Sequence, residues 1–383
     1  MLISRSDRSK KAIWFWTVDR WLFSSFLILM SLGAFFIMAS SPKMALNLNL
    51  DSHFFTIRHI IFLLLGFLII LLLSQINEKF IKLFSILGIG ICLILMAVTL
   101  LGEAPTKGAK RWLYIYGQSF QPSEFAKPFF VVVNAWLLHL WKKNSNFKGW
   151  LWSLSILLMI ALLLLLQPDL GMTILFTSVW VIQIFLSGTP LIVFILLFFS
   201  VPIILLLSYF YFDHVYTRIN MFFDGNSFQT LQAIKSFQTG SFFGKGIGEG
   251  FYKNNLPDAH TDFIFAVIAE EFGIIFCCII VILYGIFIFR SLSFAIKGNT
   301  MFYILAVSGL SFLFGMQCII HISSNLGLIP TKGMTLPFLS YGGSSIISSA
   351  LIVGIIISLT RKQINFTHYQ SNIKDEKIVN AKY

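Results

Sequence analysis

Charge is what this 383-residue chain most conspicuously lacks: Asp, Glu, Lys and Arg together make up 11% of it, against roughly a quarter in soluble domains. That scarcity excludes an ordinary water-facing globular surface. Cysteine is also rare. Cys92, Cys277, Cys278 and Cys318 all sit in apolar runs, without metal-site spacing and away from loops, which excludes a disulfide scaffold and a Cys-ligated zinc centre. Internal repeats, heptads and low-complexity tracts are missing too. What is present is apolar, with 57% hydrophobic residues and 42 Phe. These residues gather into runs of about 20, the length a helix needs to cross a hydrocarbon core of ~30 Å. The class that follows is all-α: a polytopic transmembrane helical bundle.

The runs predict ten spans, at about 21–41, 59–76, 80–101, 123–141, 149–167, 170–187, 190–211, 262–289, 301–322 and 343–360. The first follows a basic N-terminus, is too long for a signal-peptide core and has no cleavage site, so it reads as an uncleaved anchor. Pro and Gly in Gln167-Pro168-Asp169 and Ser187-Gly188-Thr189-Pro190 mark the least distinct boundaries. An even span count puts both termini on one side. Arg5, Arg8, Lys10, Lys11 and Arg20 place that side in the cytoplasm by the positive-inside rule. The chain then divides into a cytoplasmic tail (1–20), a membrane domain (21–360) and a second, polar cytoplasmic tail (361–383). Only Asp7, Asp19, Glu78, Asp375 and Glu376 among the acids fall on the cytoplasmic side. The rest lie in outer loops or just inside the outer leaflet, and a cluster of lysines and arginines lies in the outer loops. Those loops read either as solvated connections or as a site for an anionic substrate.

Three outer segments stand out: 102–122, 212–261 and 323–342. The long one, between spans 7 and 8, carries Phe222, Phe223, Phe228, Leu231, Ile234 and Phe237, a spacing that suggests a half-buried surface helix. Its Gly-rich run Gly244–Gly250 follows no strand and lies outside the cytoplasm, so a nucleotide loop is rejected. In the first segment, Gly108-Ala109-Lys110-Arg111-Trp112 precedes Gln121-Pro122-Ser123-Glu124, with Ser123 as a candidate helix cap. Glu124 and Lys127 share a helix face, as an ion pair or as part of an anion site. Lys110, Arg111 and Lys127 are cations where topology disfavours them, and would suit a phosphate or pyrophosphate.

Asp262 stands at the mouth of a span. Two roles are open to it: a helix cap, and a general base whose partial burial brings it into the working range. Glu270 and Glu271 lie deeper and point different ways, so they are functional or paired but do not share a metal. Asp169 is a further candidate. Gln317 and His321, four apart, suit interhelical hydrogen bonding. The turn-rich stretch from Pro330 to Ser345 reads as a re-entrant or cavity-lining piece, the only setting in which irregular backbone is tolerated at membrane depth.

The blocks Gly108–Lys127, Gln167–Gly171, Leu256–Gly273 and Pro330–Ser345 together resemble the SEDS (FtsW/RodA) family of cell-wall polymerases, across nearly all ten helices. His260-Thr261-Asp262-Phe263 and Ser340-Tyr341-Gly342-Gly343-Ser344-Ser345 are the most specific matches. Lys110 and Lys332 resemble the division-specific branch, since the elongation branch usually has Gln at the first position and no lysine at the second. Asp258 stands where the family commonly has Glu.

The resemblance implies peptidoglycan glycosyltransfer: lipid II on undecaprenyl pyrophosphate is polymerised into β-1,4 glycan by inversion. It maps the family's essential acid onto Asp262, the Glu and Lys lining its groove onto Glu124 and Lys127, and its functional loop Trp onto Trp112; Lys110, Arg111 and Lys332 join them as expected substrate-binding residues. Asp169, His260, Glu270, Glu271 and Ser344 are support. No cofactor is fixed by the resemblance, and a divalent cation (Mg2+ or Mn2+) at the pyrophosphate stays open. Expected partners are lipid II and the growing strand, a class B penicillin-binding transpeptidase, other division-complex membrane proteins and membrane lipids, with no nucleic acid. The expected location is the bacterial inner membrane at the septum, active face periplasmic. A lipid II flippase and a non-catalytic scaffold are the rivals. Charges gathered in the outer half disfavour the first, and the Asp262 and Lys127 environments the second.

Overall fold

The structure, a computed structural model, describes residues 9–380 apart from 103–109, 116–117, 145, 193, 195–205, 207–208, 212–215, 218–219 and 221–227. Most of the predicted span 190–211, together with Gly108, Ala109, Phe222 and Phe223, therefore lies outside the described residues. The described helices are α1 (Lys10–Thr17), α2 (Arg20–Ser40), α3 (Pro42–Asn47), α4 (Phe54–Leu73), α5 (Glu78–Leu101), α6 (Pro122–Lys143), α7 (Gly149–Leu166), α8 (Leu170–Leu186), α9 (Phe228–Gly240), α10 (Ile264–Ile296), α11 (Met301–Asn325) and α12 (Gly343–Asn380). Nine of the ten predicted spans coincide with a helix. Seven described helices are long and apolar enough to cross a membrane.

Two features outside the spans differ from the sequence expectation. Within the first outer segment, β1 (Leu113–Ile115) pairs antiparallel with β2 (Gln118–Phe120), with Tyr114 facing Ser119. The polar C-terminal tail continues α12 to Asn380, because no Gly or Pro after Gly354 interrupts it.

Burial sorts the helices into an inner and an outer set. The most apolar windows of α11 and α12 are 72% and 89% buried, whereas those of α5 and α7 are 28%. Helix α6 lies at the centre, with fifteen of its 22 residues buried, and packs on α5, α7, α8, α11 and α12. Outer helices turn Leu64, Leu68, Leu87, Ile94, Leu158 and Leu162 outward, as lipid-facing helices must. Mid-bundle polar groups are neutral and mutually bonded: Asn134 donates to Gln183 (2.7 Å), and Trp180 to Ser153 (2.7 Å).

The two ends of the bundle are chemically distinct. At one end Trp14 donates to Ser74 (2.8 Å), Arg290 pairs with Asp19 (2.6 Å), and Arg361 reaches the Gln75 carbonyl (3.5 Å). The starts of α1 and α2 and the Arg361 turn of α12 therefore share that end. At the other end lie the β1–β2 pair, Asp169, the Leu256–Asp262 turn and the 326–342 connection.

Irregular backbone enters the bundle from this second end in two places. Helix α10 is 33 residues long but breaks at Gly273, where φ is 82° and ψ 175°. The piece beyond the break, 274–296, is ~34 Å long at 1.5 Å per residue and suffices to span. The chain at 241–246 plugs the break: Lys245 and Gly246 donate to the Glu270 and Glu271 carbonyls (3.0 Å each), and Ile274 donates to Ser241 (3.0 Å). Only glycine fits this crossing. A Cβ on Gly273 would lie 2.2 Å from the Phe242 carbonyl oxygen, and one on Gly240 would lie 1.9 Å from that of Ala269.

The second entry is the 330–342 segment. Tyr284, about 16 Å below the break along α10, donates to the Pro337 carbonyl (2.5 Å). A Cβ at Gly33 of α2 would meet the Phe338 oxygen at 2.0 Å. The segment is re-entrant, and the Met334, Thr335 and Pro337 carbonyls along it each meet a protein side chain, as apolar surroundings demand.

Candidate active site

Asp262 is half-buried in a turn, not on a helix: its amide and that of Thr261 both donate to the Asp258 carbonyl (3.0 Å each). Helix α10 begins two residues later, with Phe263 at the N-cap position and no side-chain cap from it. Leu256, Ala259 and Phe263 anchor this turn against Ala233 of α9 and Ala266 and Val267 of α10. On the far side, Tyr341 donates to the His260 carbonyl (2.9 Å), and the buried His260 ring lies 4.5 Å from Phe55 and 5.4 Å from Tyr341. The Asp262 carboxylate rests against Gly333, where a Cβ would come within 2.9 Å of Oδ2.

Next to Gly333, Lys332 enters an ionic network. Its Nζ lies 3.0 Å from Asp169 Oδ1, and Arg111 lies 3.4 Å from Asp169 Oδ2. Arg111 also donates to the Gln167 carbonyl (3.0 Å) and to that of Pro168. Asp169 is the N-cap of α8 and accepts from the Met172 amide (3.1 Å). Burial alone would raise the Asp169 carboxyl, but Lys332 and Arg111 hold it below the usual carboxylate range. For Lys332 burial wins: it brings the ammonium down to about 8 against the pull of Asp169, and Arg111 and Lys127 add to the fall. Two cations share one carboxylate here, so the network keeps a net positive charge.

The third wall is α6. Lys127 pairs with Glu124 (2.7 Å) and donates to Gln317 of α11 (2.8 Å), all three being buried. Helix α6 starts at Pro122, with Gln121 as the N-cap residue, which corrects the expectation for Ser123: proline takes N1, and Ser123 accepts from Gln121 Nε2 instead (3.2 Å). Ser344 anchors the Gln121 amide (3.1 Å). Pro128 leaves the Glu124 carbonyl without its helical donor, and Ser348 supplies one (2.6 Å). Gln317 in turn donates to the Thr335 carbonyl (3.0 Å). The four residues 332–335 therefore touch Asp169, Asp262 and the Lys127 cluster.

Glu270 and Glu271 stand behind this site. Glu270 accepts from the amides of Phe251 and Tyr252 (2.8 Å each) and Lys253 (2.9 Å), and Glu271 accepts from the Gly248 amide (3.1 Å) and pairs with Lys253 Nζ. They clamp the long loop to α10. Lys110 is exposed and reaches the Leu100 carbonyl of α5 (3.5 Å), and Trp112 is 37% exposed just before β1. The contacts that build the Asp262 cluster described above include neither of them. Asn325, Lys253 and Gly333 were not singled out from the sequence. Extending the Gln317/His321 spacing by four more residues would have reached Asn325. Among the described residues, no three His, Cys, Asp or Glu side chains gather as a metal site.

Fold and site together define a polytopic helical membrane protein with a buried ionic cluster beside re-entrant backbone at one end. The cell cycle protein family FtsW/RodA/SpoVE matches residues 19–365, and the chain belongs to this family. Similar proteins include the probable peptidoglycan glycosyltransferase FtsW of Caulobacter vibrioides, 37% identical over 366 residues, covering 94% of this chain and 93% of the relative. That of Aliivibrio salmonicida is 33% identical, covering 89% and 88%. Two solved structures share the fold at 24% identity. One is from a peptidoglycan synthase complex that coordinates polymerization and crosslinking (TM-score 0.75, covering 90% of this chain and 98% of that one). The other is the rod shape determining protein RodA of Thermus thermophilus (TM-score 0.67, covering 90% and 97%).

Proposed function

We propose that this protein is a septal peptidoglycan glycosyltransferase that polymerises lipid II into β-1,4 glycan during division, with Asp262 as general base. The names of its relatives support the reaction class. One observation supports the residue assignment above the others: a half-buried carboxylate held between α10 and Gly333, beside a cationic network containing Lys332 and Arg111.

The chemistry follows from that juxtaposition. A sugar hydroxyl is a poor nucleophile and needs a base within hydrogen-bond reach. As the bond to the donor sugar breaks, negative charge grows on the departing undecaprenyl pyrophosphate. The surplus positive charge around Asp169 would stabilise it, with Lys127 nearby. An α-linked donor giving a β-linked product means one in-line displacement, with the hydroxyl proton passing to Asp262. A divalent cation, where used, would be carried by the pyrophosphate.

The end of the bundle bearing Asp262 is assigned to the periplasmic face of the inner membrane. A class B transpeptidase is the proposed partner, in keeping with the synthase complex that shares this fold. A flippase would need a charged or hydrated route through the middle of the bundle, where Asn134, Ser153, Trp180 and Gln183 are bonded to one another.

The test is glycan synthesis from lipid II by the purified protein, alone and with its transpeptidase. Wild type should make polymer and Asp262→Ala should not. Equal synthesis by Asp262→Ala, or none by wild type with its partner, would overturn the proposal.

A further inference from the structure

The last three turns of α11 carry a polar ladder. Gln317, His321 and Asn325 are four apart, hence on one face of the helix, and all are buried. Apolar helices do not retain such residues without partners, because each unmet polar group is costly there. Every rung here holds irregular backbone of the site. Gln317 takes Lys127 and the Thr335 carbonyl. His321 holds the Met334 carbonyl through Nδ1 (2.6 Å), which requires that nitrogen to carry the proton.

Asn325 divides its amide between two elements. Its Oδ1 accepts from the Ala266 amide of α10 (3.1 Å), while Nδ2 donates to the carbonyls of Asp262 (2.9 Å) and His321 (2.9 Å). The Asp262 backbone is thus tied to α11 directly. Its carboxylate meets Gly333, whose neighbour Met334 is tied to the same helix face one turn away.

We propose that Asn325 is a positioning residue for Asp262, and that the Gln317–His321–Asn325 face of α11 sets the distance between the carboxylate and the 332–335 segment. The inference rests on the glycosyltransferase reading and adds a residue that never touches substrate. Misplacing a catalytic group by about 1 Å can cost around 100-fold, so the effect should fall on kcat.

Asn325→Asp separates positioning from simple packing. Asp retains an oxygen to accept from Ala266 and is as good a cap as Asn, but its carboxylate cannot donate to the Asp262 carbonyl. With lipid II as substrate and the full-length protein with its transpeptidase, kcat should fall about 10- to 100-fold while KM stays within about twofold. Gly333→Ala is the companion variant. It leaves α11 intact and sets a methyl 2.9 Å from Asp262 Oδ2, and should show the same split. If Asn325→Asp melts far below wild type, Asn325→Ser, whose shorter side chain adds no buried charge and cannot span the Ala266 amide and the Asp262 carbonyl together, decides in its place by the same split. Wild-type kcat in the folded variants, or a rise in KM at constant kcat, would overturn the inference. Asp262→Asn is run alongside: if it alone is inactive, only the positioning role fails, whereas if it retains wild-type turnover the general-base reading fails.

Discussion

Replacing Glu270 by Gln should loosen the long loop without unfolding the bundle. The carboxylate accepts three consecutive amides, from Phe251, Tyr252 and Lys253, and a weaker bond from Ser236 (3.4 Å). Gln keeps one oxygen for Phe251 and Tyr252, but those bonds lose their charge, at about 1 kcal/mol each when charged and neutral hydrogen bonds are compared. The other oxygen becomes an NH2 facing the Lys253 amide, leaving a part-buried donor unmet at about 1–3 kcal/mol. The sum is about 3–5 kcal/mol. At 1.4 kcal/mol per tenfold, the open population of this loop should rise roughly 100- to 4,000-fold. Hydrogen exchange read by mass spectrometry reports that population when closing is fast. Amides 245–253 should exchange faster by that factor, while those of α11 stay as in wild type. Exchange at 245–253 within tenfold of wild type would show that Glu270 does not clamp the loop.

Other expectations concern the front of the site. Asp169→Asn strips the shared carboxylate from Lys332 and Arg111 and should cost about 3–5 kcal/mol, as when one partner of a buried pair is removed. Adding Lys332→Met should restore part of the lost thermal stability, and an unchanged melting temperature for the double variant relative to Asp169→Asn would count against the network. Lys332 lies outside the spans with its ammonium at about 8, so its charge is present below that pH and lost above it. Polymerisation should therefore decline as pH rises through about 8, and Lys332→Arg, charged throughout, should move that decline upward; a shared alkaline limb would exclude Lys332 as its source. Gly33→Ala places a methyl 2.0 Å from the Phe338 oxygen and should destabilise the protein by about 1–3 kcal/mol of overpacking, visible as a lower melting temperature.

The helices were legible because long apolar runs leave little choice of structure: the boundaries of α2, α6, α7 and α8 fall within two residues of the sequence expectation. Re-entry at 330–342 was legible for a related reason, since turn-formers at membrane depth require protein partners. The β1–β2 pair was not, because three-residue strands are shorter than any periodic signal. The break at Gly273 was equally hidden, as one glycine inside an apolar run looks tolerable until another chain crosses it.

At the site, Asp262 was conspicuous as a carboxylate at a span mouth, and Glu124 with Lys127 by spacing. The partnership of Arg111, Asp169 and Lys332 joins three distant segments, and local sequence carries no information about such a closure. Glu270 and Glu271 were recognised as costly and in need of partners, but their partners are backbone amides and Lys253, which no side-chain pattern announces.

The general-base assignment stands or falls on Asp262→Asn, a change that preserves shape and removes only the basic oxygen. In lipid II polymerisation by the purified full-length protein with its transpeptidase, kcat should drop by at least about 100-fold, the lower end of what a positioned base contributes, with the melting temperature unchanged. Turnover by Asp262→Asn within tenfold of wild type would mean that another group takes the proton and that the cluster around Asp262 serves some other purpose.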